Sequence, residues 1–178
     1  MGYSTHYLGR LDITPVLREP EIEWLRAYAE LIDPGAHGYD LPPNPRAERV
    51  DRARRSRSRT SPAQPPESEI PTPWGMCDWK PCVEGCCLRW SEVEKSNNAV
   101  PWLEHLVDHF LKPDGLARGA GADFEDFTFD HVVNGVIAAE RGDTRELYLI
   151  RAVDNVITTE TLVAGDPWDA DQGDYNGS

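Results

Sequence analysis

Residues 131–162, HVVNGVIAAERGDTRELYLIRAVDNVITTETL, decide the fold. Three β-forming runs follow one another: His131 to Ala139, Glu146 to Ala152 and Val156 to Leu162. A turn near Arg141-Gly142-Asp143 joins the first two and a tight Asp154-Asn155 turn the last two, and no helical pattern intervenes. A parallel sheet would alternate strand and helix throughout, so the order predicts an antiparallel meander. Leu147-Tyr148-Leu149-Ile150 is apolar on both faces, which predicts a central strand.

Upstream, Trp74 to Ser91 reads as a β-hairpin. With Glu84-Gly85 as its turn, Val83 faces Cys86, Cys82 faces Cys87, Pro81 faces Leu88, Lys80 faces Arg89 and Trp79 faces Trp90. Opposed residues share a face. One face then gathers Cys77, Trp79, Pro81, Val83, Cys86, Leu88 and Trp90; the other gathers Asp78, Lys80, Cys82, Cys87, Arg89 and Ser91. A slip of one residue would mix these mostly apolar and mostly polar sets.

Two helices and one more strand complete the pattern. Tyr3 to Ile13 is rich in β-formers, with Gly9 as a possible bulge and Pro15 as its end. Glu19-Pro20-Glu21 opens a helix, since proline suits the first turn and acids suit the positive end. Ile22, Leu25, Tyr28, Ala29 and Ile32 form its apolar stripe, widened by Trp24 and Leu31, and Asp33-Pro34-Gly35 stops it. Asn97 or Asn98 caps the second helix near Pro101. Its buried stripe is Trp102, Leu103, Leu106, Val107, Phe110 and Leu111, and Lys112-Pro113-Asp114-Gly115 ends it. The sum is an α+β fold: an antiparallel sheet of five to six strands, two helices packed on one face, and a long disordered insertion.

That insertion is residues 35–73. It contains few large apolar side chains to offset an ordering cost of about 1–2 kcal/mol per residue. It divides a single domain, 1–34 and 74–163, and an acidic tail follows at 164–178. The chain carries 31 acidic and 18 basic residues, a net charge of −13. Seven of its fifteen arginines lie between Arg46 and Arg59. An acidic body repels phosphate backbones and membrane headgroups, so nucleic acid is expected only through Arg52, Arg54, Arg55, Arg57 and Arg59, if at all. Phosphorylation of Ser56, Ser58 or Ser61 would cancel much of that charge. The plainer reading of the run is a solvated linker. No signal-peptide pattern and no long apolar run is present, which predicts a cytoplasmic protein with no membrane association.

Several groups are candidates for chemistry. Cys77, Cys82, Cys86 and Cys87 fall within eleven residues. Zinc takes four tetrahedral ligands, usually in close pairs, but the register above points Cys77 and Cys86 away from Cys82 and Cys87. Free thiols, or a Cys82–Cys87 disulfide formed on oxidation, are the other readings. His105 and His109 lie one turn apart on the rim of a polar helix face, able to bind metal or simply solvated; His6 and His131 could join them in space. Asp123, Glu125, Asp126 and Asp130 could chelate a hard cation. Their interleaved Phe124, Phe127 and Phe129 instead suggest a segment that tucks aromatics inward. Trp74, Trp79 and Trp90 offer faces on which a base could stack. No Walker A, G-x-G-x-x-G, G-x-S-x-G or H-E-x-x-H pattern occurs, and no cofactor other than zinc is suggested.

The opening Met1-Gly2-Tyr3-Ser4-Thr5, with Leu8-Gly9-Arg10-Leu11 after it, resembles a loose family of small bacteriophage and prophage proteins of unassigned function. The Trp-rich hairpin, the helix Trp102-Leu103-Glu104-His105-Leu106-Val107 closed by Leu111-Lys112-Pro113-Asp114-Gly115, and the C-terminal meander extend the likeness over most of the ordered chain. Scarce lysine beside abundant arginine, alanine, glycine and proline fits a GC-rich, actinobacterial-type genome. The Arg-rich insert and the Cys86-Cys87 pair depart from the family pattern. The resemblance implies an accessory protein and supplies no catalytic residue. The leading expectation is therefore a non-enzymatic protein that binds a host protein through an acidic α+β surface. Alternatives are a small-ligand binder of nucleotide type and a metal-dependent enzyme using the His or carboxylate cluster.

Overall fold

The structure, a computed structural model, describes residues 4–32, 34, 38, 39, 41, 72–94 and 98–166. Its elements are β1 (Thr5–Thr14), α1 (Glu19–Ala29), β2 (Trp79–Pro81), β3 (Cys87–Trp90), α2 (Ala99–Leu106), β4 (Val132–Arg141), β5 (Leu147–Val153) and β6 (Val156–Val163). All pairings are antiparallel, and the six strands lie in the order β2-β3-β1-β4-β5-β6. Both helices pack on one face. The fold is the α+β arrangement expected. Residues 42–71, with their arginines 52, 54, 55, 57 and 59, and the tail from 167 onward lie outside the described residues.

The hairpin register is the expected one: Trp79 opposes Trp90, Lys80 opposes Arg89 and Pro81 opposes Leu88. The inner sheet face carries Tyr7, Leu11 and Ile13 of β1, Leu88 of β3, Val133, Ile137 and Ala139 of β4, and Ile150 and Ala152 of β5, all buried. Trp24 and Tyr28 of α1, Trp102 of α2, and Phe110, Phe124 and Phe127 close over it. The three phenylalanines at 124, 127 and 129 are buried, while Asp123, Glu125, Asp126 and Asp130 between them face solvent.

Three local expectations are corrected. Gly9 is not a bulge: the β1–β4 register runs unbroken from Thr5↔Arg141 to Thr14↔Val132. Its φ is +118°, and a Cβ there would fall 2.6 Å from the carbonyl oxygen of Val136, so the glycine permits close backbone approach. Gly9→Ala is expected to cost about 1–3 kcal/mol in urea unfolding, and an unchanged midpoint would contradict this reading. Second, α1 ends at Ala29, leaving Ile32 81% exposed beyond the buried stripe. Third, Asn98 occupies the N-cap position of α2, but its side chain donates to the Trp74 carbonyl (3.0 Å) instead of capping.

Tyr39 also differs. It falls inside the stretch read as an insertion, yet it is 2% exposed and packs edge-on against Phe110 and Phe124. A single aromatic can anchor a chain segment whose neighbours offer little apolar surface.

Candidate functional site

The β2–β3 hairpin tip brings three thiols together. The Gly85 N–H donates to the Cys82 carbonyl (3.1 Å), closing a turn, and the Cys82 N–H donates to the Cys87 carbonyl (2.9 Å). Gly85 has φ +70°, a left-handed conformation that takes Cys86 out of the pleat. Strand alternation therefore begins only at Cys87. Cys86 was expected to point away from Cys82 and Cys87; instead the Cys82 and Cys86 sulphurs are 3.5 Å apart, and all three lie within 4.8 Å of one another. Cys77 does not join them. It is fully buried and its thiol donates to the Trp79 carbonyl (3.1 Å).

The three thiols differ electrostatically. Burial opposes ionisation of Cys82, but hydrogen bonds from the Cys86 and Cys87 thiols and backbones outweigh it and hold its pKa below the ordinary value. Burial and the neighbouring Cys82 push Cys87 up to about 11 despite a contact with Arg89.

His105 and His109 correct a second expectation. Neither lies on a polar rim; both are fully buried, with ring centroids 4.0 Å apart. After Leu106 the helix widens into a π turn over Val107–Leu111, where the Lys112 N–H reaches the Val107 carbonyl (3.1 Å), and all five residues of the turn are buried. His105 Nε2 is hydrogen-bonded to the Tyr28 hydroxyl (3.1 Å), and His109 Nδ1 to the Tyr39 hydroxyl. Burial, then repulsion from His109, lowers the His105 pKa to about 3; burial lowers that of His109 to about 4 against the attraction of Asp108. Both rings are neutral fixtures of the core.

His131 sits elsewhere, 1% exposed, against a fully buried Glu21. Its Nδ1 donates to the Pro15 carbonyl (2.7 Å) and its Nε2 lies 3.1 Å from Glu21 Oε1. His6 is exposed on the opposite sheet face beside Trp90. Among the described residues the histidines form no common site, and Cys82, Cys86 and Cys87 are the group placed to share a metal ion.

Nor do the tryptophans form a stacking platform. Trp79 is sealed in the core with its indole N–H on the Ala99 carbonyl (2.7 Å), Trp90 packs on Tyr7, and Trp74 is 70% exposed. A groove of about 250 Å³ does open between the first turn of α2 and the inner sheet face, lined in part by Thr5, Tyr7, Arg141, Tyr148 and Thr161. Its one arginine is held in a double hydrogen bond by Asp143 (3.1 and 2.9 Å).

Among the described residues no element packs on the opposite sheet face. Strand register places Leu8, Ala138 and Leu149 in one row across β1, β4 and β5, with Val136 and Leu147 in the rows on either side. Leu8 is 76% exposed, Val136 43% and Leu147 38%. β5 is thus an interior strand, as its two-sided apolar pattern suggested, but only one of its faces is covered. His6, Arg10, Glu140, Arg151 and Glu160 occupy the surrounding positions.

No protein-family model, curated protein or solved structure matches the chain. Among the described residues no helix is long and apolar enough to cross a membrane.

Proposed function

We propose that this is a non-enzymatic interaction protein, an accessory protein of the bacteriophage type its opening resembles, which binds a host protein in the bacterial cytoplasm on the uncovered face of its sheet. The observation that carries this reading is the apolar row of exposed Leu8 and Ala138 and half-buried Leu149, flanked by exposed Val136 and Leu147 and ringed by charged residues. A contiguous apolar patch with a polar rim is the usual composition of a docking surface. The rim of this face is balanced, Arg10 and Arg151 against Glu140 and Glu160, while the net charge of −13 over the whole chain favours approach of a basic partner.

Capture from host lysate on the immobilised full chain tests it, using Leu8→Glu and Val136→Glu beside the parent. Both side chains project into solvent, so circular dichroism should show an unchanged fold. The expected result is one partner whose retention falls about tenfold or more in each variant. A partner retained equally by both, or none above background, would remove the proposal. Self-association abolished by the same changes would also count against it, assigning the face to a second copy.

A further inference from the structure

We propose that Cys82, Cys86 and Cys87 form a binding site for one thiophilic metal ion of the Zn²⁺, Cu⁺ or Cd²⁺ class, independent of the sheet face above. Zinc–sulphur bonds of about 2.3 Å in tetrahedral geometry place sulphurs about 3.8 Å apart. The three sulphurs here already stand within 4.8 Å of one another, one pair at 3.5 Å, so an ion needs only small side-chain adjustments.

The backbone that presents them is fixed from outside the hairpin. The Ile13 N–H donates to the Cys86 carbonyl (2.8 Å), the Leu17 N–H to the Gly85 carbonyl (3.0 Å), and the Arg26 guanidinium to the Pro81 carbonyl (2.7 Å). A Cβ on Gly85 would meet Leu17 and Ile22 at under 3 Å, so the turn is packed against the start of α1. Ligands held on such a scaffold lose little freedom on binding.

Charge and access fit as well. Each sulphur that coordinates gives its proton to solvent, and three thiolates around a divalent ion leave one net negative charge. Arg89, in contact with Cys87, lies beside it. Cys82 and Cys87 are buried while Cys86 is partly exposed, which leaves one side of the cluster open to water or to a partner's side chain as a fourth ligand. Soft sulphur donors select against Mg²⁺ and Ca²⁺.

Titration of the reduced full-length protein with Cd²⁺, in a phosphine reductant, is the test. The expected result is a thiolate-to-cadmium charge-transfer band that saturates at one ion per chain, unaffected by excess Mg²⁺, with Zn²⁺ competing for the same site. Cys86→Ser, at the partly exposed position, should keep the fold and weaken Cd²⁺ about 100-fold or more. Cys82→Ser should do the same, and Cys77→Ser should leave binding unchanged. No band at stoichiometric Cd²⁺ overturns the site, as does a folded Cys86→Ser variant that binds with the parent's affinity. A loss of binding in a Cys77→Ser variant that circular dichroism shows to be folded would also overturn it.

Discussion

Glu21→Ala is expected to destabilise the protein by about 3–5 kcal/mol, the cost of leaving a buried charge without its partner. The Glu21 carboxylate is fully buried and accepts four hydrogen bonds: from the Arg18 N–H (2.7 Å), the Thr128 N–H (2.8 Å), the Thr128 hydroxyl (3.0 Å) and His131 Nε2 (3.1 Å). His131 Nδ1 donates to the Pro15 carbonyl, so both ring nitrogens carry protons in the imidazolium. Burial alone would raise the Glu21 pKa and lower that of His131. Their mutual hydrogen bond, with the flanking backbone groups, reverses both directions.

The sign follows from these directions. The Glu21 contribution is complete above the unfolded carboxyl value near 4.5 and fades as pH falls through the lowered folded one. The His131 contribution is complete below about 6.5 and fades as pH rises through its raised folded value. Urea unfolding at a pH between those limits should therefore show the full loss. His131→Ala should cost a similar amount, and the double variant much less than the sum of the two. Additive losses, or a Glu21→Ala effect below about 1 kcal/mol, would mean that the pair does not hold these segments together.

The second large effect is acid sensitivity above the range where carboxylates titrate. His105 and His109 are neutral in the fold but free to take protons once it opens. Their stabilisation is therefore present above about pH 6.5 and lost as pH falls towards 4. Each imidazole contributes about 1.4 kcal/mol per pH unit, so the two together remove roughly 4 kcal/mol by pH 5. Above about pH 6.5 the His131 contribution is still building as pH falls and opposes the slope; between 6.5 and 5 the Glu21–His131 pair is intact and the slope is that of the two buried rings. Denaturant unfolding from about pH 6.5 to 5 reads it directly. His109→Phe should roughly halve the slope, and a flat profile in the parent would show that the rings are hydrated or already charged.

Much of the architecture was legible because apolar and polar residues separate cleanly at a period of two. Trp79 against Trp90 and Pro81 against Leu88 follow from that alone. The meander followed from the short links around Gly142 and Asn155. What escaped depends on contacts between distant residues. Glu21 and His131 are 110 positions apart, and Glu21 was read only as a helix-end charge. The signal that was present is His131 itself, a polar residue that continues the every-second-residue spacing of the inward-facing Phe127 and Phe129. His105 and His109 were placed on a rim because an even helix has one; the π turn and Tyr39 remove it. The four cysteines stand out in the sequence as candidate ligands, but strict alternation carried through Gly85 turns Cys86 away from Cys82 and Cys87, and a left-handed residue there interrupts it.

The sheet has two unlike ends. At one, β2 is three residues long and the side chain of Arg26 covers the Pro81 carbonyl. At the other, β6 runs for eight residues with no lysine or proline, and Glu160 is its one charge. Among the described residues no strand pairs with its outer margin, which leaves a row of unspent hydrogen-bonding valence there and gives any extension of the sheet by an added strand a fixed direction, outward from β6.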